Sequence, residues 1–377
     1  LGRVPELESL FFYKNPGPFP MEALRGLTRL KSLTLSPATL DESAFAHLGR
    51  LKSLALLTLY CNQFTGTGLG YLNENLLELS MNSQTIPAEG LAYLPRFKKL
   101  RRLVLKDSAV TDDMLAGLAT LTELEALDVT NTKLDGSFLA HLPANSKLKR
   151  LVIENVGGFK PEHLTHLARL KYLEELSLPS FEPGPAGMAA IASLSQLRVL
   201  VMNNNTVFTG ESLKGLKGFG SHTLLDLNVC PVSDAGLAAI ADAMPALERL
   251  GWARRDEKKK GTATPEGFAA ALKRMRNLTS ILLSGNELTD EWPPAIAEAK
   301  GVNYMMLNDS RVTDQGVAHL MKLPLGYLRL DGTQVTDAVI PILKTCPTLV
   351  NVPVGGTKMT DAGKAELQRV LDAHRGK

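Results

Sequence analysis

The chain has 377 residues, with 42 Lys or Arg against 39 Asp or Glu and a formal net charge of +3. That balance is too even to point to nucleic acid or an anionic membrane as a partner. No apolar run approaches the roughly 18 residues of a membrane span, no signal peptide is visible, and three widely separated cysteines give neither a disulfide framework nor a zinc motif. The length would ordinarily suggest two or three domains, but no linker or change of composition divides it.

From the amino end, Leu1–Pro5 matches Leu320–Pro324 in register, so it reads as the tail of a repeat helix and implies a preceding segment. A signal or anchor there would mean export; otherwise, reduced thiols favour the cytoplasm. One phrase then recurs fifteen times, L-x-x-L-x-L, followed by a small polar residue three places on and an apolar residue two beyond that. Its central apolar residue falls at Leu10, Leu33, Leu57, Leu77, Leu103, Leu127, Leu151, Leu176, Leu200, Leu225, Leu250, Ile281, Met305, Leu328 and Val352. Most steps are 23 to 26 residues; Leu57 to Leu77 is 20 and Leu250 to Ile281 is 31.

Each L-x-L centre predicts a short strand whose two apolar residues share one core. The small polar residue falls where the chain turns inward and must satisfy buried backbone groups. Asn15, Asn62, Asn82, Asn205 and Asn286 fill it as amides, Ser108, Thr132, Ser310, Thr333 and Thr357 as hydroxyls, and Cys230 as a thiol. Ala38, Val156, Phe181 and Arg255 depart from the pattern. Next come Thr-Asp or Ser-Asp pairs at Thr111, Ser233, Thr289, Thr313, Thr336 and Thr360, read as helix caps that also suit the positive end of the helix dipole. Apolar residues at helical spacing follow, as in Leu237, Ile240, Ala241 and Met244. A unit of strand, turn, helix and turn has too little apolar surface to fold alone, so neighbours must stack. Strands spaced about 4.8 Å and helices spaced about 8–10 Å predict a curved array with strands on the concave face.

The repeated phrase, continuing as (N/T/S/C)-x-(V/L)-T-D-x-G-L-A, resembles bacterial leucine-rich-repeat proteins with repeats of roughly 24 residues. Ribonuclease-inhibitor-like repeats are similar but longer. The resemblance covers essentially the whole chain and implies an α/β leucine-rich-repeat solenoid, a horseshoe used as a protein-interaction scaffold. No F-box, nucleotide-binding or kinase segment is present, nor the short proline-rich repeats and catalytic domain of the bacterial ubiquitin-ligase effectors. The expected organisation is a single domain spanning 1–377, with a longer repeat at 250–280 and a polar capping repeat at 352–377.

Candidate chemistry is sparse. His47, His141, His166 and His319 recur by repeat register, with His163 one turn from His166, and read as helix-surface residues. Cys230 and Cys61 read as buried turn residues, and Cys346, beside Lys344, has no assignable base. The glycine pairs at Gly157-Gly158 and Gly355-Gly356 lack phosphate-loop spacing. Arg101, Glu125, Lys149, Glu174 and Arg198 alternate in sign over successive repeats and read as a lateral packing ladder.

The outward strand column gives the strongest binding signal. Near the carboxyl end it carries Tyr304 and Tyr327 before the core residue, with Leu282, Met306 and Arg329 after it. Aromatic, Met and Arg side chains are the types that anchor protein interfaces. The long repeat adds a cationic run containing Arg254, Arg255, Lys258, Lys259 and Lys260, placed to steer an acidic region of a partner. A second cluster, Phe11, Tyr13, Leu56, Tyr60 and Leu76, lies toward the amino end. These residues predict a monomeric, non-catalytic protein-binding module without cofactor or metal. The alternatives are a cell-surface array binding polysaccharide or matrix, and a hydrolase.

Overall fold

The computed structural model describes residues 4–12, 21–36, 39–40, 42–61, 63–64, 67–82, 85–220, 223–253, 261–285 and 287–376. They form two compact units, Leu1–Pro179 and Ser180–Lys377, both of leucine-rich-repeat α/β architecture.

The first unit is built on Ser9–Phe12 (β1), Ser32–Leu35 (β2), Leu56–Tyr60 (β4), Glu78–Asn82 (β6), Arg102–Lys106 (β7), Ala126–Asp128 (β8), Arg150–Val152 (β9) and Glu175–Ser177 (β10), all parallel and paired in that order. Thr39–Leu40 (β3) and Gln63–Phe64 (β5) pair separately. The unit's helical side holds Glu42–Leu48 (α1) and Ala88–Leu91 (α2), but longer stretches there, Asp112–Thr120 and Pro161–Arg169, are 3-10 helix. A 3-10 helix rises about 2.0 Å per residue against 1.5 Å for an α-helix, so it covers the same length with fewer residues.

The second unit pairs Val199–Val201 (β11), Leu224–Asp226 (β12), Arg249–Ala253 (β13), Ser280–Ser284 (β14), Tyr304–Met306 (β15) and Tyr327–Arg329 (β16), also all parallel. Tyr327 adds a bridge to Asn351. Its α-helices are Gly184–Ala192 (α3), Asp234–Ala243 (α4), Pro265–Leu272 (α5), Trp292–Ile296 (α6), Asp314–Leu320 (α7), Val339–Leu343 (α8) and Asp361–Arg375 (α9).

The register places the core residues of thirteen of the expected strands where the phrase put them and moves one. Leu79, not Leu77, stands between Leu57 and Leu103. The segment Leu76-x-x-Leu79-x-Met81 is the true phrase: all three side chains are fully buried, while Leu77 is only half-buried. The apparent short step was therefore a misplaced strand, and Asn82 ends β6, paired with Lys106, instead of filling the turn. The other turn residues divide by reach. Ser108, Thr132, Thr333 and Thr357 donate to a carbonyl three residues back in their own repeat. Asn205 and Cys230 donate to the preceding repeat, at Phe181 O and Met202 O. Asn15, Asn62, Asn286, Ala38 and Arg255 lie outside the described residues.

The Thr-Asp pairs do more than cap. Thr336 donates from Oγ1 and N to the two carboxylate oxygens of Asp314, one repeat back, at 2.6 and 2.9 Å. Thr313 binds Asp290, Thr360 binds Asp337 and Thr264 binds Asp234 in the same way. The hydroxyls of Thr264 and Thr360 also accept from the amides of Gly267 and Gly363. Those glycines are forced by the same contact, because a Cβ on either would overlap the preceding repeat's Asp carboxylate. In these four repeats the aspartate of one helix start thus joins it to the threonine of the next.

Candidate binding face of the second unit

Residues just before and after each core position point away from the helices, and parallel register stacks them into rows. One row runs Val199, Leu224, Arg249, Ser280, Tyr304, Tyr327. The next, two residues on, runs Val201, Asp226, Gly251, Leu282, Met306, Arg329. Tyr304 and Tyr327 stack in parallel, with ring centroids 4.4 Å apart and 4° between planes. Both are half-buried, and burial pushes the Tyr327 phenol above its ordinary pKa, helped by the adjacent Tyr304. Arg329 is not a free cation: its Nε donates to Asp331 Oδ2 at 2.6 Å.

Beside the tyrosines is a recess of about 500 Å³, and Leu282, Met306 and Arg329 line it. Of β13 it is lined by Ala253 alone, a small buried side chain between the longer Asn228 and the Ser284 position of the neighbouring strands. Asn203 and Asn228 form one wall, with Ser284 and Asn308 toward the other end. Next to the recess Asp226 covers Gly251: a Cβ on that glycine would stand 3.0 Å from Asp226 Oδ1. Burial pushes the Asp226 carboxyl above its ordinary pKa, opposed by hydrogen bonds from the Asn228 amide N–H at 3.1 Å and from the Asn203 side chain. Among the described residues Asn203 Oδ1, itself buried, has no hydrogen-bond partner. Val229, also lining the recess, is a β-branched residue at φ 65°, a conformation that costs on the order of 1–3 kcal/mol.

This face has rigid support. Under it Trp252, Phe268 and Trp292 pack ring to ring at 5.8–5.9 Å, and Trp252 Nε1 donates to Cys230 O at 3.2 Å. The five-residue register of β13 with β14 is unbroken, so the extra length of the long repeat lies between Ala253 and Gly261. Arg254, Arg255, Lys258, Lys259 and Lys260 fall there, outside the described residues.

Of the predicted residues, the structure brings Tyr304 and Tyr327 together as a stack and places Leu282, Met306 and Arg329 on one recess. Sequence reading missed Asn203, Asn228, Ala253, Ser284 and Asn308. The signal was present, since the five residues from Asn203 to Asn308, Ala253 among them, share the position three after the core residue. In the first unit Phe11 and Tyr60 are exposed on the strand face and Leu56 is half-buried, but Leu76 turns into the core as the first residue of its phrase; Tyr13 is outside the described residues. The charge ladder forms in part: Glu125 sits 3.7 Å from Arg101 and 3.5 Å from Lys149.

The remaining candidates have structural settings. His163 and His166 stack at 6.3 Å, and His163 Nε2 lies 3.8 Å from Asp135. Among the described residues no group of three or more His, Cys, Asp or Glu side chains is placed to hold a metal ion. All three thiols are buried. Cys230 is pushed up to about 12 by burial, so it stays a neutral donor, and Cys346 Sγ lies 3.4 Å from Thr348 Oγ1. Among the described residues no helix is long and apolar enough to cross a membrane.

The family model for the leucine-rich repeat matches residues 277–299, which hold β14 and α6. No curated protein matches the chain. Among solved structures, the chain is similar to an internalin from Listeria monocytogenes at 17% identity, covering 93% of this chain and 87% of that one, with a TM-score of 0.48. It is also similar to a leucine-rich-repeat protein from Leptospira interrogans at 17% identity, covering 99% of this chain and 97% of that one, with a TM-score of 0.49.

Proposed function

We propose that this chain is a non-catalytic binding module that captures a protein partner on the outward strand face of its second unit, the face the repeat pattern expects to be concave. The leucine-rich-repeat fold generally mediates protein–protein interaction. The observation that carries the reading is the juxtaposition of a stacked tyrosine pair with a 500 Å³ recess on one strand face. Half-buried aromatics next to a concavity are what central interface anchors require, because a partner group entering the recess becomes fully desolvated. Met306 and Leu282 supply adaptable apolar contact, and Arg329, oriented by Asp331, presents its remaining donors. Arg254, Arg255, Lys258, Lys259 and Lys260 are assigned the steering of an acidic region of the partner. The buried, neutral thiol of Cys230 supports a binding role over a nucleophilic one.

Affinity capture from the source cell, with the intact chain compared with a Tyr304→Ala/Tyr327→Ala variant, tests this. A protein retained by the first and lost by the second is expected. Equal retention by both would overturn the assignment of the face.

A further inference from the structure

We propose that a pocket in the first unit binds a phosphate monoester carried on an aromatic body. The pocket measures about 700 Å³ and lies where the chain enters β9 and β10. Ser146, Lys147 and Lys149 line it from the approach to β9, and Arg169, Lys171 and Tyr172 from the approach to β10. Its volume falls in the ~300–1,000 Å³ range of small-molecule sites, so it suits an organic ligand better than a bare ion.

Charge selects an anion. Four cations and one carboxylate, Glu125, line the pocket. Glu125 is already engaged, 3.5 Å from Lys149 and 3.7 Å from Arg101, and Lys147 lies 2.8 Å from both oxygens of Glu123. Arg169 and Lys171 remain. Their hydrogen bonds go to main-chain carbonyls: Arg169 Nη2 donates to Leu139 O and Ala140 O, and Lys171 Nζ to Ala168 O. Among the described residues no carboxylate stands within ion-pair distance of either, and residues 85–220, which hold the pocket and the repeats beside it, are described without a gap. The paired carbonyl contacts hold the half-buried Arg169 guanidinium in place.

Two cations without a carboxylate call for a dianion. A carboxylate neutralises one of them, whereas a phosphate monoester carries about −1.5 to −2 charge at pH 7 and three acceptor oxygens for charge-assisted hydrogen bonds. Ser146 adds a donor to the same pocket. It is only 3% exposed, and its hydroxyl oxygen accepts from the Leu148 N–H at 3.2 Å, which leaves the O–H proton for an acceptor. Beside these groups Tyr172 is 58% exposed, an aromatic face open to stacking by a planar group.

Calorimetric titration of the full chain with phenyl phosphate, phenyl sulfate and inorganic phosphate tests this. Phenyl phosphate is expected to bind, phenyl sulfate, which has the same shape and a single charge, at least ten-fold more weakly, and inorganic phosphate several-fold more weakly. Arg169→Gln is expected to weaken phenyl phosphate at least ten-fold and Lys171→Gln several-fold; Lys171 is exposed, so its variant decides the matter if Arg169→Gln does not fold. Tyr172→Ala is expected to lower phenyl phosphate to the level of inorganic phosphate. Lys358→Gln, which removes one charge from an exposed position of the second unit, is expected to change nothing. No binding of phenyl phosphate, equal binding of phenyl sulfate or inorganic phosphate, unchanged binding in the pocket variants, or an equal loss in Lys358→Gln would overturn the proposal. Blocked phosphotyrosine and adenosine monophosphate, titrated in the same way, separate a protein-borne phosphate from a free nucleotide, the tighter of the two naming the source. The site does not rest on the binding face of the second unit, and the Tyr304→Ala/Tyr327→Ala variant is expected to bind phenyl phosphate as the parent chain does.

Discussion

Asp226 shows how the burial of a single carboxyl makes stability depend on pH. Its carboxyl is raised by burial, so the ionised form is less favourable in the folded chain than in the unfolded one. Between the ordinary carboxylate pKa and the raised value the folded state holds a proton that the unfolded state releases, and stability falls as pH rises through that window. Above it the loss is complete. Asp226→Asn removes the charge and keeps the shape, so its melting temperature is expected to exceed that of the parent chain at pH 7, with the gap closing below about pH 4. Calorimetry at the two pH values checks this; a lower melting temperature at pH 7 would show that ionised Asp226 stabilises the fold. Tyr304 and Tyr327 were legible because side chains that carry chemistry announce themselves in a repeat alignment. The recess was not, because it opens over the small Ala253 and is walled by amides and hydroxyls, and a search for reactive residues passes over them.

At the scale of the element, the repeat phrase fixed strand order and core identity through its period, and it failed where two phrases overlapped. Leu76-Leu77-Glu78-Leu79-Ser80-Met81 offers two L-x-L centres two residues apart, both compatible with alternation, and only pairing with Leu57 and Leu103 selects Leu79. Helix type was also beyond the pattern, since apolar spacing does not separate an α turn from a 3-10 turn in stretches as short as Ser137–His141. Thr-Asp was read as a cap within one repeat, whereas half of its bonding joins two repeats. The glycine in T-D-x-G belongs to that joint. Gly363→Ala is expected to destabilise by about 1–3 kcal/mol, since its Cβ would overlap the Asp337 carboxylate. In an Asp337→Ala background the same change is expected to cost less than half as much, because the obstructing group is gone. Urea unfolding of the four proteins measures the coupling; additive effects would show that the glycine serves its own helix alone.

Across the molecule, stacked repeats make each strand's outward residues part of a continuous surface, so a site can be assembled from residues far apart in sequence without a long loop. In the second unit that surface draws on Asn203 at one side and Arg329 at the other, joined by five parallel pairings. On the proposed function a protein partner covers this surface and not the helical side. Hydroxyl-radical footprinting of the chain alone and bound to its captured partner separates the two faces, because Tyr and Met oxidise readily and both types occur on the proposed face. Suppressed oxidation of Tyr304, Met306 and Tyr327 in the complex is expected, with Tyr172, exposed in the first unit, and Met321, at the end of α7, unchanged. Protection of Met321 with undiminished oxidation of Tyr304 and Tyr327 would place the partner on the helical side and contradict the account.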